Sequence, residues 1–501
     1  MDSEMNEQVT ATDSKPGAAV EQGSLPPLCV DLDGTLIKSD LLIESFLRFV
    51  KLNPLHFFWV LVWLYRGKAH LKYKLAAQNW LSPELIPYNQ EVVTYLRAQK
   101  KACPERAIIL CTASNERLAR QVAEYVGVFD EVIASNEHDN IMGSAKAKIL
   151  TDRFGHGGFD YIGNDWNDWK VWSNARQVLV ATQSDRFLRQ TQQRFTIDRI
   201  FREQAPSPRE YLKALRVHQW TKNALLFIPF LLEQRFDDVG GWITLFFCFI
   251  SFSLLASATY IWNDLLDLDS DRVNIIKKKR AFASGRIPLL TGIKMMIGLV
   301  AISVLIFMFL PPAFAGVALL YTVITLAYSF KLKKVPILDV CLLASLYTLR
   351  IIAGMLAVSA AWSFWLLAFS MFFFLSLALA KRVSELKNLE KRELNQASGR
   401  GYVTSDLDLL QMLGVVSGFV SVLVVALYIN SDKVASMYAV KEVLWLLCPV
   451  LLFWVGRIWM VTSRGKMHED PIVFAIRDRV SLQTILICGV IVAAAMSANF
   501  L

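Results

Sequence analysis

Residues 260–272 read YIWNDLLDLDSDR and end a long apolar segment with a group of acidic side chains. On a helix that turns about 100° per residue, Asn263, Asp264, Asp267 and Asp271 share one arc. Three carboxylates and an amide on one face repel one another unless cations lie between them. Mg²⁺ prefers such oxygen ligands and often bridges them to substrate phosphates. The stretch therefore predicts a magnesium site for a phosphorylated substrate, and a solvated acidic helix end is the alternative.

Composition indicates the class of protein. Of the 501 residues, 54% are hydrophobic, the formal net charge is +9 and the mean hydropathy is +0.37. This is too apolar for an ordinary soluble protein, and the positive charge favours contact with anionic lipid. The basic stretch at residues 277–280 follows the acidic group directly and supports an anion-handling site. We expect a bilayer-embedded protein without a nucleic-acid partner.

Polarity divides the chain into three parts. Residues 1–26 are rich in polar residues, Gly and Pro, which predicts a disordered tail and not a signal peptide. Residues 27–200 are typical of a soluble α/β domain, and residues 201–501 of an all-α membrane domain. Nine apolar runs in the latter approach the ~20 residues that a spanning helix needs. They lie near 219–235, 241–262, 291–310, 312–329, 336–358, 360–380, 408–429, 441–461 and 481–501.

The loops between these runs predict the orientation of the chain. Those after the second, fourth, sixth and eighth runs carry about nineteen Lys and Arg, against about three in the others. Cytoplasmic loops are the ones enriched in Lys and Arg. We therefore expect a multi-pass protein of the bacterial cytoplasmic membrane, with its N-terminal domain in the cytoplasm and its C-terminus outside.

The N-terminal domain has three short apolar runs that each end in polar residues. The first, residues 27–30, leads into Asp31 and Asp33; the second, residues 107–111, ends at Thr112; the third, residues 159–162, ends at residues 163–168. Helical segments separate them, which predicts a parallel sheet with a site at the carboxyl ends of its strands. Two Asp separated by one residue suit a nucleophile and a proton donor in phosphoryl transfer.

This arrangement, with Asp31-Leu32-Asp33-Gly34-Thr35 at its start, resembles the haloacid-dehalogenase-like phosphatases over about residues 27–185. The resemblance implies a Rossmann-like α/β fold with a helical cap. It also implies roles for four residues: Asp31 as nucleophile, Asp33 as acid/base, Thr112 as phosphate ligand and Lys146 as the charge-neutralising lysine, with Lys148 as the second candidate for that role.

The resemblance further implies Mg²⁺ held by Asp31 and Asp33 together with Asp165 or Asp168. The terminal motif departs from the family pattern, because Asn164 takes its first acidic place. Retained phosphatase activity is our prediction. A degenerate regulatory or docking domain is the alternative.

A helical insertion between the first two strands includes the apolar residues 56–65. This run is too short to span a bilayer. Its Trp and Tyr, with Lys and Arg nearby, fit a helix that lies in the membrane interface. An ordinary buried cap helix fits the same pattern equally well.

The nine runs and the acidic motif resemble the UbiA-type prenyltransferase superfamily, and within it the decaprenyl-phosphate (polyprenyl-phosphate) phosphoribosyltransferases. The resemblance covers residues 207–501. Its further motifs are Leu215-Arg216-x-x-Gln219-Trp220-x-Lys222-Asn223, Tyr328-Ser329-x-x-Leu332-Lys333, Leu338-Asp339-Val340, Leu349-Arg350-x-x-Ala353-Gly354 and Lys381-Arg382-x-x-Glu385-Leu386.

One departure guides the prediction of the substrate. Aromatic prenyltransferases of this superfamily usually carry a second aspartate-rich motif after the sixth helix, where this chain has Lys381 and Arg382. Cations at that position favour anionic substrates. Arg350, about midway along a spanning run, costs about 2.5–3.5 kcal/mol on insertion scales and should therefore face the bundle interior. Pairing with Asp339 as a structural ion pair is its alternative role.

The resemblance implies Mg²⁺-dependent transfer of 5-phosphoribose from phosphoribosyl pyrophosphate to a polyprenyl phosphate in cell-wall synthesis. Asp264, Asp267 and Asp271, with Asn263, would hold Mg²⁺ on the pyrophosphate. The N-terminal domain would then remove the 5-phosphate of the product. Nine residues are candidate substrate ligands: Lys222, Asn263, Arg280, Tyr328, Lys331, Lys333, Arg350, Lys381 and Arg382.

Two other functions remain open at this stage. A prenyltransferase would move a polyprenyl group from its diphosphate to an aromatic or other small acceptor. A transporter or lipid-binding scaffold would need no transfer chemistry. The expected partners are a polyprenyl phosphate, phosphoribosyl pyrophosphate and the bilayer, and homo-oligomerisation is left open.

Overall fold

The computed structural model of the chain describes residues 25–78, 82–390, 401–467 and 470–496. It divides into two compact units, Met1–Ala205 and Pro206–Leu501, which we call the N-terminal unit and the membrane unit. The disordered tail predicted for residues 1–26 lies almost wholly outside the described residues.

The N-terminal unit is built on a six-stranded parallel sheet in the order β3-β2-β1-β4-β5-β6. This confirms the predicted parallel sheet. Strand β1 pairs with β2 on one side and β4 on the other, so that Leu28 lies between Ile108 and Asp160. The strands are β1 Leu28–Val30, β2 Ile108–Asn115, β3 Glu131–Ser135, β4 Asp160–Gly163, β5 Gln177–Thr182 and β6 Arg199–Arg202.

The central strands are continuous apolar runs because helices cover both faces of the sheet. Leu28 and Val30 of β1 face one buried cluster, and Cys29 faces the other. The helices of this unit are α1 Leu41–Leu52, α2 His56–Tyr65, α3 Lys68–Gln78, α4 Gln90–Ala102, α5 Glu116–Val126, α6 Ser144–Phe154, α7 Trp169–Trp172 and α8 Asp185–Gln192, with short 3₁₀ turns at Pro83–Leu85 and Trp166–Asp168.

Helices α1 to α3 form the helical insertion after β1. Asp40 caps α1 by accepting a hydrogen bond from the backbone N–H of Ile43. The three helices share a small cluster of their own around Phe49, Val60 and Leu75. Because the insertion follows β1, it belongs to the edge of the sheet where the strands end.

The membrane unit is helical throughout its described residues. Its α-helices are α9 Pro208–Ala214, α10 Ile228–Leu232, α11 Val239–Leu266, α12 Leu268–Val273, α13 Leu289–Phe307, α14 Pro312–Phe330, α15 Leu338–Ala357, α16 Phe364–Glu390, α17 Leu407–Ile429, α18 Asp432–Met437, α19 Leu447–Ser463, α20 Pro471–Arg477 and α21 Arg479–Met496. Its 3₁₀ helices are Val217–Phe227, Lys277–Lys279, Leu332–Lys334, Thr404–Asp406 and Lys441–Leu446.

Eight helices among the described residues are long and apolar enough to cross a membrane, and they correspond to eight of the nine predicted runs. The predicted first span, residues 219–235, is not confirmed as a spanning helix. It folds as the 3₁₀ helix Val217–Phe227 followed by the short helix α10. Polar side chains explain the irregularity, since buried Lys222 and Asn223 each bind a partner inside the unit.

This irregular segment lies antiparallel to α11 along most of its length. The Ser257 hydroxyl binds the Leu215 carbonyl at one end, and the rings of Phe230 and Trp242 meet at 5.0 Å at the other. A 3₁₀ helix rises about 2.0 Å per residue and an α-helix about 1.5 Å, so the two pieces together extend over about 30 Å. Because a 3₁₀ helix is longer per residue than an α-helix, this short segment can extend beside much of α11.

Gly354 permits the closest approach between this segment and α15. A Cβ atom at Gly354 would lie 2.1 Å from the backbone carbonyl oxygen of Leu226, a distance that no side chain can occupy. Small residues commonly allow such backbone contacts between membrane helices.

We expect Gly354→Ala to destabilise the membrane unit by about 1–3 kcal/mol, because the added methyl group forces two backbones apart. The measurement is the midpoint of thermal unfolding of the detergent-solubilised chain. Gly316→Ala is the matched control, because a Cβ there meets no atom within 4 Å. Equal midpoints for the two variants would contradict the packing argument.

Candidate functional site

In the N-terminal unit the structure gathers the predicted phosphatase residues at the carboxyl edge of the sheet. The Lys146 ammonium lies 2.7 Å from Asp31 Oδ1 and 3.9 Å from Asp168 Oδ1. Thr112 ends the buried core of β2, and its hydroxyl accepts a hydrogen bond from the Ser114 backbone. Lys148 is exposed on the same helix, so the geometry favours Lys146 as the lysine of this site.

The two aspartates of the loop after β1 have different surroundings. Asp33 accepts hydrogen bonds from the Leu41 backbone and the Ser114 hydroxyl. Burial raises the pKa of Asp33 to about 8. Burial also raises the pKa of Asp31, but Lys146 opposes the shift and holds it to about 6. The proton therefore resides preferentially on Asp33 near neutral pH, which suits the role of acid that we predict for it.

Asp165 and Asp168, the two candidate metal ligands in the loop after β4, both accept hydrogen bonds that hold this loop. Asp168 is buried and accepts from the Tyr161 hydroxyl and from the backbone N–H groups of Asn164 and Asp165. Asp165 itself accepts from Trp166 and Asn167. Both carboxylates are thus engaged in holding the loop. Metal binding by Asp31, Asp33, Asp165 or Asp168 stays a prediction.

In the membrane unit the acidic motif does not form one continuous helix as expected. Helix α11 ends at Leu266, Asp267 is its C-terminal cap with φ −96° and ψ 15°, and α12 begins at Leu268. The prediction of one continuous helix is therefore wrong beyond Leu266. Asp264 and Asp271 nonetheless share one side, as their common arc predicts, because both accept from one nitrogen of Arg280, at 2.9 and 2.8 Å.

Arg216 is a further cation at this acidic group. Its guanidinium donates to the same Asp264 oxygen as Arg280, and its backbone adopts a left-handed conformation with φ 51°. Sequence reasoning quoted Arg216 in a family motif but did not place it at the site. The signal in the sequence was its place in the motif Leu215-Arg216-x-x-Gln219-Trp220.

Asn263 and Asp267 are the remaining members of the motif. The buried Asn263 Oδ1 has no hydrogen-bond partner among the described residues. Asp267 accepts from Lys333 at 3.3 Å. Burial raises the pKa of Asp271, and Arg280 opposes that shift. Among the described residues, no three His, Cys, Asp or Glu side chains converge tightly enough to enclose a metal by themselves.

These observations fit Mg²⁺ nonetheless. Mg²⁺ is usually held by one or two carboxylates plus waters and substrate phosphates, and not by an all-protein cage. Asp264 and Asp271 converge on a single cationic nitrogen, which stands where a metal ion would neutralise both. The buried Oδ1 of Asn263, which has no hydrogen-bond partner among the described residues, would be a suitable further neutral ligand.

Arg350 is the most unusual charged group in the membrane unit. It is 4% exposed, and its guanidinium donates to Asn223 Oδ1, the Leu346 carbonyl and the Tyr321 hydroxyl. The rings of Tyr321 and Tyr347 lie 4.8 and 5.2 Å from it. Within the described part of the chain no carboxylate pairs with it, so its charge is held only by neutral oxygens and aromatic faces.

The alternative pairing of Arg350 with Asp339 is wrong. Asp339 is fully buried and binds Arg382 Nε at 2.6 Å, and it also accepts from the Tyr402 hydroxyl. Arg382, 1% exposed, further contacts Glu385 and Tyr328. This closed network favours a structural role for Arg382, which we predicted to bind substrate.

Lys222 and Lys381 converge on a carboxylate that sequence reasoning missed. Both ammonium groups bind Asp470 Oδ2, at 2.9 and 3.0 Å. Although burial alone would raise the pKa of Asp470, the two lysines hold it well below its usual range. The group keeps a net positive charge. Asp470 could not be assigned to this group from the sequence, because 248 residues separate it from Lys222.

A cavity of about 800 Å³ lies inside the membrane unit. Thr221 and Lys222 line it together with a long apolar wall that includes Phe369, Phe373 and Trp454. Of the remaining candidates, Tyr328 contacts Arg382, and Lys331 is exposed. An apolar cavity bordered by a cationic group suits an elongated lipid with an anionic end.

Comparison with known proteins places these features in a family. A sequence model of the UbiA prenyltransferase family matches residues 233–469. The protein y4nM of Sinorhizobium fredii is 34% identical over 457 residues, covering 91% of this chain and 88% of that protein. That match necessarily includes parts of both units. The nodulation protein NoeC of Azorhizobium caulinodans is 33% identical over 276 residues, covering 55% and 90%.

The decaprenyl-phosphate phosphoribosyltransferase of Mycolicibacterium smegmatis is 29% identical over 280 residues, 54% of this chain and 86% of that enzyme. The solved structure of a UbiA homolog from Archaeoglobus fulgidus bound to GPP and Mg²⁺ aligns with a TM-score of 0.42 and 16% identity, covering 57% of this chain and 99% of that one. The protein is a multi-pass membrane enzyme of the transferase class. The chain belongs to the UbiA prenyltransferase family.

Two buried arginines allow a direct test of the site. Arg382→Met leaves the buried Asp339 charge uncompensated, which costs about 3–5 kcal/mol. Arg350→Met leaves no charge behind, so we expect a much smaller drop in the thermal midpoint but a loss of transfer activity of roughly 100-fold or more. Both variants are measured in detergent for unfolding and in liposomes for activity. An Arg350→Met enzyme with normal activity would remove Arg350 from the site.

Proposed function

We propose that the membrane unit transfers 5-phosphoribose from phosphoribosyl pyrophosphate to a polyprenyl phosphate and releases pyrophosphate. The observation that carries the proposal is the excess of positive charge inside the membrane unit, where Arg350 and Lys222 are buried and Lys381 is half-buried. Arg350 lacks a carboxylate partner among the described residues, and Lys222 and Lys381 share a single one. Two phosphorylated substrates supply the missing anions.

Similarity supports the same assignment. The relative from Mycolicibacterium smegmatis is named as a decaprenyl-phosphate phosphoribosyltransferase, and it aligns with about half of this chain. Lys381 stands where prenyltransferases with aromatic acceptors are expected to carry further aspartates, whereas Arg382 at the same place is paired with Asp339. The basic loops are expected to face the cytoplasm, where a soluble sugar diphosphate is available.

Asn263, Asp264, Asp267 and Asp271 are the residues that would hold Mg²⁺. When bound, it would neutralise the pyrophosphate leaving group. Arg280 and Arg216 now occupy Asp264, so a bound metal–pyrophosphate would take over that carboxylate and leave both guanidiniums free for phosphate oxygens. Lys333, which contacts Asp267, lies within reach of the same anion.

The transfer needs no nucleophile from the protein. The bond between C1 of the ribose and the pyrophosphate oxygen breaks, and the electron pair leaves with pyrophosphate. An oxygen of the polyprenyl phosphate forms the new bond to C1. The protein contributes position and charge neutralisation, which act strongly in a water-poor site. The apolar cavity beside Lys222 would hold the part of the lipid chain next to its phosphate.

We expect the purified chain in liposomes to transfer radiolabelled phosphoribose into the organic phase when polyprenyl phosphate and Mg²⁺ are present. Chelation of Mg²⁺ should abolish transfer, and Asp267→Asn should lower it by roughly 100-fold or more. Asp269→Asn is the matched control, because Asp269 lies outside the predicted ligand set. Label that stays wholly in the water phase would refute this substrate assignment.

Prenyl transfer to an aromatic acceptor is the second candidate, and the matching family description favours it. The same acidic group would bind the diphosphate of the prenyl donor, but an allylic cation would form. The two reactions are distinguished by the labelled partner, since only this alternative moves label from a polyprenyl diphosphate to a small acceptor.

We further propose that the N-terminal unit is a phosphatase that removes the 5-phosphate from the product lipid. The support is chemical: the product keeps a phosphomonoester, and the chain carries an Asp31–Lys146 pair near Asp33, whose pKa is raised by desolvation. Asp31 would attack phosphorus and form an aspartyl phosphate while Asp33 protonates the departing ribose oxygen. Water would then cleave the aspartyl phosphate, which releases inorganic phosphate and restores Asp31. Fusion of two enzymes raises the local concentration of the shared intermediate.

We expect Asp31→Asn to abolish phosphate release from purified phosphoribosyl lipid while phosphoribose transfer continues, so that the 5-phosphorylated lipid accumulates. Thin-layer separation of the labelled lipids before and after alkaline phosphatase treatment measures this. Lys148→Ala is the control, because Lys148 is exposed and outside the site. Equal phosphate release by the parent and Asp31→Asn would remove this unit from the pathway.

A further inference from the structure

The helical insertion of the N-terminal unit exposes an apolar face that its own fold does not cover. In α2 only Val60 is buried. Phe58 is 64% exposed and Tyr65 is 95% exposed. The other exposed apolar residues on and next to this helix are Leu52, Leu55, Phe57, Trp59, Leu61, Val62 and Leu64. Contiguous apolar patches of this kind mark an interaction surface.

The inner face of the insertion is already satisfied. Val60 packs with Phe49, Leu71 and Leu75, and Trp63 lies against that cluster. His56 stacks on Phe49, and its Nδ1–H donates a hydrogen bond to the Phe49 carbonyl oxygen. The three helices are therefore held together without the outer face, which is free to contact something else.

Charge indicates what that partner is. Between Lys51 and Gln78 the chain has five Lys and Arg and no Asp or Glu. Arg66 and Lys68 follow the exposed helix directly and are themselves exposed. A short helix with Trp, Tyr and Phe on its surface and basic residues at its end is typical of segments that lie in the headgroup region of anionic bilayers.

We propose that α2 docks the N-terminal unit onto the surface of an anionic bilayer, with its aromatic side chains inserted among the lipid headgroups. A bilayer is always within reach, because eight helices of the same chain are built to cross one. Only residues 203–207 connect β6 to α9, the first helix of the membrane unit.

The docking has a consequence for the substrate class of the N-terminal site. The insertion follows β1 and therefore belongs to the same sheet edge as Asp31. Lys72 of α3 reaches that edge, where it binds the Ala113 carbonyl and Asn140. A docked insertion thus presents the Asp31 edge to phosphoesters carried on lipids. This consequence rests on the proposed phosphatase activity, whereas the docking itself does not.

Photocrosslinking of the full chain tests the docking. The variant Phe58→p-benzoylphenylalanine is reconstituted in nanodiscs that contain phosphatidylglycerol, irradiated and analysed by mass spectrometry for lipid adducts. His156→p-benzoylphenylalanine is the matched control. His156 is also exposed, but it lies in the turn that leads into β4, at the opposite edge of the sheet.

We expect a lipid adduct at position 58 and none above background at position 156. A crosslink from position 58 to a peptide of this chain or of a second copy would overturn the proposal, as would equal lipid labelling at both positions or none at either. Phosphatase activity is not needed for this readout, so failure of the docking and failure of the proposed activity are distinguishable. If docking holds, Phe58→Ser with Trp59→Ser should slow phosphate release from the lipid ester but not from ribose 5-phosphate.

Discussion

Charge inside a low-dielectric bundle must be compensated, and the organisation of the membrane unit follows from how that is done. Asp339 and Arg382 compensate each other deep between α15 and α16, with Tyr402 and Glu385 completing the network. Arg350 on α15 lacks such a partner among the described residues and rests on amide, carbonyl and tyrosine oxygens. The first arrangement pairs opposite charges, whereas the second leaves a positive charge without a carboxylate among the described residues, and we propose that an anionic substrate compensates it. We therefore assign Arg382 to the stability of the unit and propose that Arg350 serves substrate binding.

The same principle applies to the acidic motif, where carboxylates are the charges that need compensation. Asp264 and Asp271 both accept from Arg280, and Asp264 also accepts from Arg216. We propose that these pairs exchange for a metal–diphosphate, because it would carry both the cation that the carboxylates need and the anion that the arginines need. In the N-terminal unit Lys146 plays the corresponding part for Asp31.

Much of the architecture could be predicted from local sequence. The parallel sheet followed from short apolar runs that end in polar residues, and eight spans followed from their length and composition. The irregular winding of the first predicted run and the break in the acidic motif could not be predicted in this way. Winding into a 3₁₀ helix and the break at Asp267 depend on which partners the polar side chains meet, and Lys222 and Asn223 meet theirs on distant segments.

The sequence by itself determined which residue types are present and where each helix or strand can form, since apolar periodicity and length act locally. It therefore supported a membrane transferase with a cationic site and an attached α/β domain. Only the tertiary structure decided the pairing of charges. It assigned Arg382 and not Arg350 to Asp339, selected Lys146 over Lys148, and brought Asp470 between two lysines. The physical reason is that ion pairs join residues far apart in the chain, and pairing is set by packing that no local pattern encodes.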